Sequence, residues 1–108
     1  MSYEYLASPY SHINPMVMAE RYREVMCKTA ELISAGRVVF SPIVHSHVMA
    51  LQYNLPTDIS YWNRYCITML RCASKFLIYR LPGWDVSAGI ALEHDIANRL
   101  YLPIEWID

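Results

Sequence analysis

The fold class predicted for this sequence is a doubly wound α/β domain: a parallel sheet of about four to five strands, flanked by helices. Three observations predict it. Strand-like and helix-like segments alternate along the chain as strand, helix, strand, helix, strand, helix, strand, the order that right-handed crossovers turn into a parallel sheet. Phe76-Leu77-Ile78-Tyr79 is an unbroken apolar run, as expected of a strand covered on both faces. The chain has 108 residues, 55% of them hydrophobic, which fits one domain spanning 1–108 with a sizeable core.

The elements follow in order. Tyr3-Glu4-Tyr5-Leu6-Ala7 alternates and stops at Ser8-Pro9, a first strand. Asn14-Pro15 is a helix start, with Asn as cap and Pro in the first helical position. Met18, Tyr22, Val25, Met26, Thr29, Leu32 and Ile33 recur behind it at helical spacing, and Gly36 closes the helix. Arg37 to Phe40 is a short second strand ending at Ser41-Pro42, and His45 to Tyr53 reads either as loop or as a short helix. Asp58 caps the next helix, whose apolar stripe is Ile59, Trp62, Cys66, Met69, Leu70 and Ala73. Phe76 to Tyr79 is the third strand, Leu81 to Asp85 a loop, Ser87 to Leu100 a helix, and Leu102 to Ile107 the last strand. Pro103 is tolerable where it starts.

Composition excludes several classes. Nine basic against ten acidic side chains leave a net charge of −1, so polymeric nucleic acid bound through a basic patch is not expected. This apolar content excludes disorder. The longest apolar run is four residues, against the ~20 of a membrane helix, so no membrane partner is expected. No signal-peptide pattern opens the chain. Cys27, Cys66 and Cys72 are odd in number and lack Cys-x-x-Cys spacing, which suits reduced thiols. A cytoplasmic protein is expected. A domain this small buries only about 65% of its unfolded surface, so the apolar excess points to a homodimer or higher homo-oligomer.

In doubly wound sheets ligands bind beyond the carboxyl ends of the strands, here the loops Ser8 to His12, Ser41 to His47 and Leu81 to Ser87. On a helical wheel of about 100° per residue, Val86, Ile90, Ala97 and Leu100 of the last helix cluster, with Glu93 in their midst. A carboxylate on a buried face is costly unless it is paired or functional. Asp85 or Ser87 can cap this helix, whose N-terminus is also an anion site, and Gly89 allows close approach of a ligand or a strand. His45 and His47, two apart on a strand, would point the same way. With no cysteine or carboxylate at a recognised spacing, pocket lining or surface placement is preferred to a metal site. His12 is a loop histidine at the expected mouth. Trp62, Trp84, Tyr5 and Tyr10 are rings that can stack on a planar group. Glycine-rich phosphate loops and Gly-x-Ser-x-Gly elbows are absent from the sequence.

Three segments carry a resemblance: Tyr5-Leu6-Ala7-Ser8-Pro9-Tyr10-Ser11-His12, Ser41-Pro42-Ile43, and Pro82 to Gly89 with Glu93 and Ala97. Together they resemble the nucleoside 2-deoxyribosyltransferase-like superfamily, most closely its small bacterial and phage branch of uncharacterised domains. The resemblance implies that Glu93 is a nucleophile on the anomeric carbon of a (deoxy)ribose. It would expel the base and form a glycosyl-enzyme, which water or a second base resolves. A weakly basic carboxylate suits such an oxocarbenium-like transition state. The resemblance also implies that Tyr5 holds the sugar or the nucleophile, and that members are dimers or larger with the partner completing the site. Ser87 stands where nucleotide hydrolases of the superfamily carry Ser and nucleoside transferases carry Asp. A helix N-terminus with Ser accepts a phosphate, whereas Asp repels it. Three places depart from the pattern. Cys66 and Ser74 stand where the superfamily commonly has Asp, and Ser11 and His12 replace an arginine that nucleotide hydrolases place after the first strand. A thiol does not replace a carboxylate as acceptor or proton carrier.

The expected function is therefore an N-glycosidase, hydrolase or transferase, acting on a nucleoside 5′-monophosphate or nucleoside. Glu93 is its nucleophile. Tyr5, Ser87, Gly89 and the loop Ser8, Pro9, Tyr10, Ser11, His12 position sugar and phosphate. Tyr10, Trp84 and His45 line the base, and Asp85 is a candidate for proton transfer. No metal or organic cofactor is called for. The alternative is a non-catalytic nucleotide-binding or sensing module, which Cys66 favours. A structural oligomer with a vestigial cleft, and a metal-dependent hydrolase using His45 and His47, rank below these.

Overall fold

Every α-helix of the fold begins on a side chain that accepts a backbone N–H which the helix cannot pair itself. The computed structural model describes residues 2–108. Helix α1 (Pro15–Ser34) starts where Asn14 Oδ1 accepts from the Met16 amide at 2.9 Å. Helix α2 (Pro42–Gln52) starts on Ser41 Oγ, which accepts from Val44. Asp58 accepts from Tyr61 to open α3 (Ile59–Arg71), and Ser87 Oγ accepts from Ile90 at 3.2 Å to open α4 (Ala88–Arg99). Caps of this kind each stabilise a helix by about 1 kcal/mol. Helix α1 ends as the sequence predicts. Gly36 takes a φ of +91°, which lets the Arg37 amide turn back to the Leu32 carbonyl.

The four strands are β1 (Glu4–Ala7), β2 (Val39–Phe40), β3 (Lys75–Tyr79) and β4 (Ile104–Ile107), all parallel, in the order β2-β1-β3-β4. The fold is thus the α/β doubly wound sheet expected, with four strands. The two-residue period of β1 and β3 divides the core into two layers. Tyr5, Ala7, Phe76 and Ile78 face α3 and α4, where they meet Cys66, Leu70, Ile90 and Ala97. Leu6, Leu77 and Tyr79 face the other way and meet Val25 of α1 and Ile43 of α2. Leu6, Leu70, Leu77 and Ile78 are fully buried, and such side chains stabilise a fold by about 1.5–3 kcal/mol each. Among the described residues, no helix is long and apolar enough to cross a membrane.

Strand order positions the site. From β1 the chain crosses to β2 on one side, and from β3 it crosses to β4 on the other. The carboxyl ends of β1 and β3 therefore open a crevice at the point where the winding reverses. At the opposite end of the sheet, Arg37 bridges Glu4 and Glu105, and Lys75 adds to Glu105. These cations hold the Glu105 carboxyl down at about 2. That perturbed carboxylate belongs to a structural ion network away from the crevice.

Two local expectations change. Ser41-Pro42 does not merely end a strand: it repeats the Asn-Pro device of α1 and starts α2. His45 and His47 consequently lie on a helix, where positions two apart diverge by about 200°. His45 is exposed and pairs with the Tyr65 hydroxyl, whereas His47 is buried and stacked on Tyr22. The loop before α4 is also partly helical, with a 3-10 turn over Trp84–Val86.

Candidate functional site

Ile90, Glu93 and Ala97 form the buried stripe of α4. Val86 and Leu100, expected on that stripe, are exposed, because the helix begins after Val86 and ends before Leu100. Glu93 stays on it and is 7% exposed. Its partner comes from the centre of the sheet: the Tyr5 hydroxyl of β1 donates to Glu93 Oε2. Burial pushes the Glu93 carboxyl up to about 7, opposed by the Tyr5 hydrogen bond. The same burial, with the neighbouring carboxylate, drives the Tyr5 phenol far upward, so it remains a donor. Cys66 of α3 completes the group, its thiol raised to about 11 by burial and by Glu93. It is a neutral thiol at ordinary pH. Glu93 Oε1 has no hydrogen-bond partner among the described residues, and Glu93 forms part of a cavity wall.

The cavity measures about 380 Å³, within the range of about 300–1,000 Å³ that small-molecule sites occupy. One wall is the segment after β1: Ser8, Tyr10, Ser11 and His12. A second is α2, through Pro42, Ile43, Ser46 and Ala50. The entry to α3 supplies Thr57, Asp58, Ile59, Trp62 and Cys66. Gly83 and the start of α4, Val86 to Gly89, close the fourth side, and Arg21 reaches in from α1. Tyr10 is anchored by its hydroxyl, 2.6 Å from Nδ1 of His47, and His12 Nδ1 accepts from the Asn14 amide.

Seven of the residues expected from the sequence therefore meet at one cavity: Ser8, Tyr10, Ser11, His12, Ser87, Gly89 and Glu93. Tyr5 lies directly behind Glu93. Four expected residues do not line it. Pro9 is fully buried behind the loop. Trp84 turns away from the cavity and packs its ring against Trp106 at 5.6 Å. Asp85 is exposed on the 3-10 turn, which removes it from proton transfer at this site. His45 faces Tyr65 and Phe40. The cap of α4 is Ser87, not Asp85.

Sequence reasoning missed Arg21 and the Thr57–Ile59 wall. Arg21 had a usable signal, since it falls between Met18 and Val25 beside Tyr22, on the apolar stripe of α1. A charge on that stripe carries the same information as Glu93 on α4. Among the described residues, no group of three or more His, Cys, Asp or Glu is placed to hold a metal ion.

The model of the family described as Domain of unknown function (DUF1937) matches residues 3–106. The chain belongs to that family. The match runs from β1 into β4, so the DUF1937 domain includes all the cavity walls. No curated protein matches the chain.

Proposed function

We propose that this DUF1937 domain is an N-glycosidase that cleaves the base–sugar bond of a nucleoside 5′-monophosphate or nucleoside through a glycosyl-enzyme on Glu93. The observation that carries the reading is the buried Glu93 carboxyl, held on one oxygen by Tyr5, with no hydrogen-bond partner on the other among the described residues, in the wall of a ligand-sized cavity. Ionised Glu93 attacks C1′ with Oε1. The C1′–N bond breaks, and the base leaves with the bonding electrons and takes a proton from water. Water then attacks C1′, releasing the sugar and restoring the carboxylate, or a second base takes the sugar instead. Tyr5 keeps Oε2 fixed while Oε1 reacts. Trp62 and Tyr10 offer ring faces to the base.

The test is chromatographic detection of free base from a panel of nucleosides and their 5′-monophosphates. Base release supports the glycosidase. Silence accompanied by thermal stabilisation with a nucleotide selects the second reading, a nucleotide-binding or sensing module. That reading rests on Cys66, a neutral thiol where a proton-carrying carboxylate would assist the reaction.

Ser87 bears on the preference for monophosphates. Asp caps a helix as well as Ser does, so Ser87→Asp should leave α4 formed while placing a negative charge at its N-terminus. Monophosphate binding is expected to weaken about tenfold or more, by charge repulsion, with nucleoside binding little changed. Equal effects in titration calorimetry would refute this role for Ser87.

We also propose that the protein is a cytoplasmic homodimer or larger. All three cysteines are free, as a reducing compartment favours. Ile13, next to His12 of the cavity wall, and Val86, in that wall, are 98% and 82% exposed, an apolar margin that a second copy would cover. Sedimentation equilibrium should give at least twice the 12.6 kDa chain mass. A monomer at micromolar concentration would contradict it.

A further inference from the structure

Three groups in the cavity wall have hydrogen-bonding capacity that the fold leaves wholly or partly spare. Ser8 Oγ is the first. Ser8 is 7% exposed, lines the cavity, and its hydroxyl has no partner among the described residues. A buried hydroxyl left unpaired is costly, so the site is built for an atom that arrives from outside. The second is Arg21. Its Nη1 donates to the main-chain carbonyls of Tyr10 and Ser11 at 3.3 and 3.0 Å. It makes no ion pair with a carboxylate among the described residues, unlike Arg37, Arg80 and Arg99. Two carbonyls fix the direction of the guanidinium without neutralising its charge. The third is the first turn of α4, where the Ala88 and Gly89 amides have no acceptor among the described residues. A Cβ at Gly89 would already touch Ser87 Oγ at 3.8 Å and Ile59 at 3.9 Å, so glycine keeps this part of the cavity wall free of a side chain.

Gly83 makes room for the guanidinium. It has a φ of +101°, and a Cβ there would lie 2.5 Å from Arg21 Nη2. The loop after β3 thus admits the arginine because this position lacks a side chain. Two carboxylates share the cavity, but neither engages Arg21. Asp58 is taken up by Ser60 and the Tyr61 amide at the start of α3, and Glu93 by Tyr5.

We infer that Arg21, with Ser8 and the first turn of α4, is the recognition site for the phosphate monoester of the ligand, and that Arg21 determines the choice of monophosphate over nucleoside. The inference rests on the proposed function for the rest of the ligand, the sugar and base. A phosphate has acceptor oxygens for each of these donors, and guanidinium–phosphate pairs are strong because both partners are charged. Arg21 is a binding residue here and takes no part in bond breaking.

The test uses the intact chain and titration calorimetry with ribose 5-phosphate, ribose, inorganic phosphate, and a nucleoside with its 5′-monophosphate. Arg21→Ala should lower affinity for ribose 5-phosphate at least 20-fold and leave nucleoside affinity within about twofold. Arg21→Lys should recover part of the loss, because charge returns without the fork of donors. Because Arg21 also ties down the Tyr10–Ser11 backbone, Arg21→Gln and Ser8→Ala serve as further variants, with folding checked by amide spectra. Gln keeps a donor but not the charge and should bind phosphate as poorly as Ala. Ser8→Ala should cost about fivefold. Binding of inorganic phosphate but not ribose 5-phosphate would make the site one for the free ion and overturn the inference. So would an equal loss of ribose and ribose 5-phosphate in Arg21→Ala, or no phosphate binding by the wild type. Loss of base release with phosphate binding intact would instead fault the glycosidase reading and leave the Arg21 site standing.

Discussion

Glu93→Ala is expected to abolish base release, by at least about 10³-fold, since removing a nucleophile eliminates the covalent route rather than weakening it. Glu93→Gln should be as inactive, although Gln still accepts a hydrogen bond from Tyr5 and nearly conserves volume. The pair therefore separates chemistry from packing: the alanine variant leaves a hole beside Tyr5 and Cys66, and the glutamine variant does not. In the wild type, kcat should rise with pH through about 7, because the carboxyl held there must ionise before it attacks. Rapid-quench chromatography and acid-quenched intact-mass measurement check both points, the latter through a sugar adduct on Glu93. Turnover by Glu93→Gln at the wild-type rate would end the nucleophile assignment.

The second large effect is on stability. The Glu93 carboxyl, ordinarily near 4.5, stands at about 7 in the fold. Between those values the folded chain holds a proton that the unfolded chain has released. The resulting stability is complete below about pH 4.5 and is lost as pH rises through 7. At about 1.4 kcal/mol per pH unit, ionising this buried group costs the fold about 2.5 kcal/mol between pH 5 and pH 8. Glu93→Gln has no such proton to lose. Relative to wild type it should therefore gain about 2.5 kcal/mol on going from pH 5 to pH 8, as measured by urea unfolding of the two proteins side by side. Titrations elsewhere, such as that of Glu105, cancel in this comparison. A constant difference at the two pH values would mean that Glu93 is not held in its protonated form by burial. The two effects have one cause: the residue proposed to do the chemistry is the one the fold accommodates least well when charged.

Much of this was legible in the residues themselves. Asn14-Pro15 and Asp58 are caps in the structure as in the sequence, and Ser87 is the one of the two candidates, Asp85 and Ser87, that caps α4, because capping involves only the next two or three amides. Phe76 to Tyr79 is a strand buried on both faces, as its unbroken apolar run requires. Glu93 stood out because a single charge interrupts an otherwise apolar helical face. Helix α2 was harder to read. Its buried positions are Ile43, His47 and Ala50, and its outward side carries Val48, Met49 and Leu51, so its apolar pattern has no clear period. Tertiary contacts, not amphipathicity, decide that it is a helix.

The cavity could not be read in this way. Trp84 and Asp85 lie within a few residues of Ser87, yet the 3-10 turn sends Trp84 to Trp106 and Asp85 to solvent. Arg21 lies beyond the loop that starts at Ser8, in the second turn of α1, but shares its cavity. Caps, strand runs and the odd carboxylate of α4 are products of near-neighbour chemistry, which any stretch of about ten residues expresses on its own. The company that Glu93 keeps depends on the order β2-β1-β3-β4, which sets the end of β1 against the end of β3 about seventy residues later. Burial of both faces of those two strands selects that order, and it is a property of the whole packed core rather than of any local pattern.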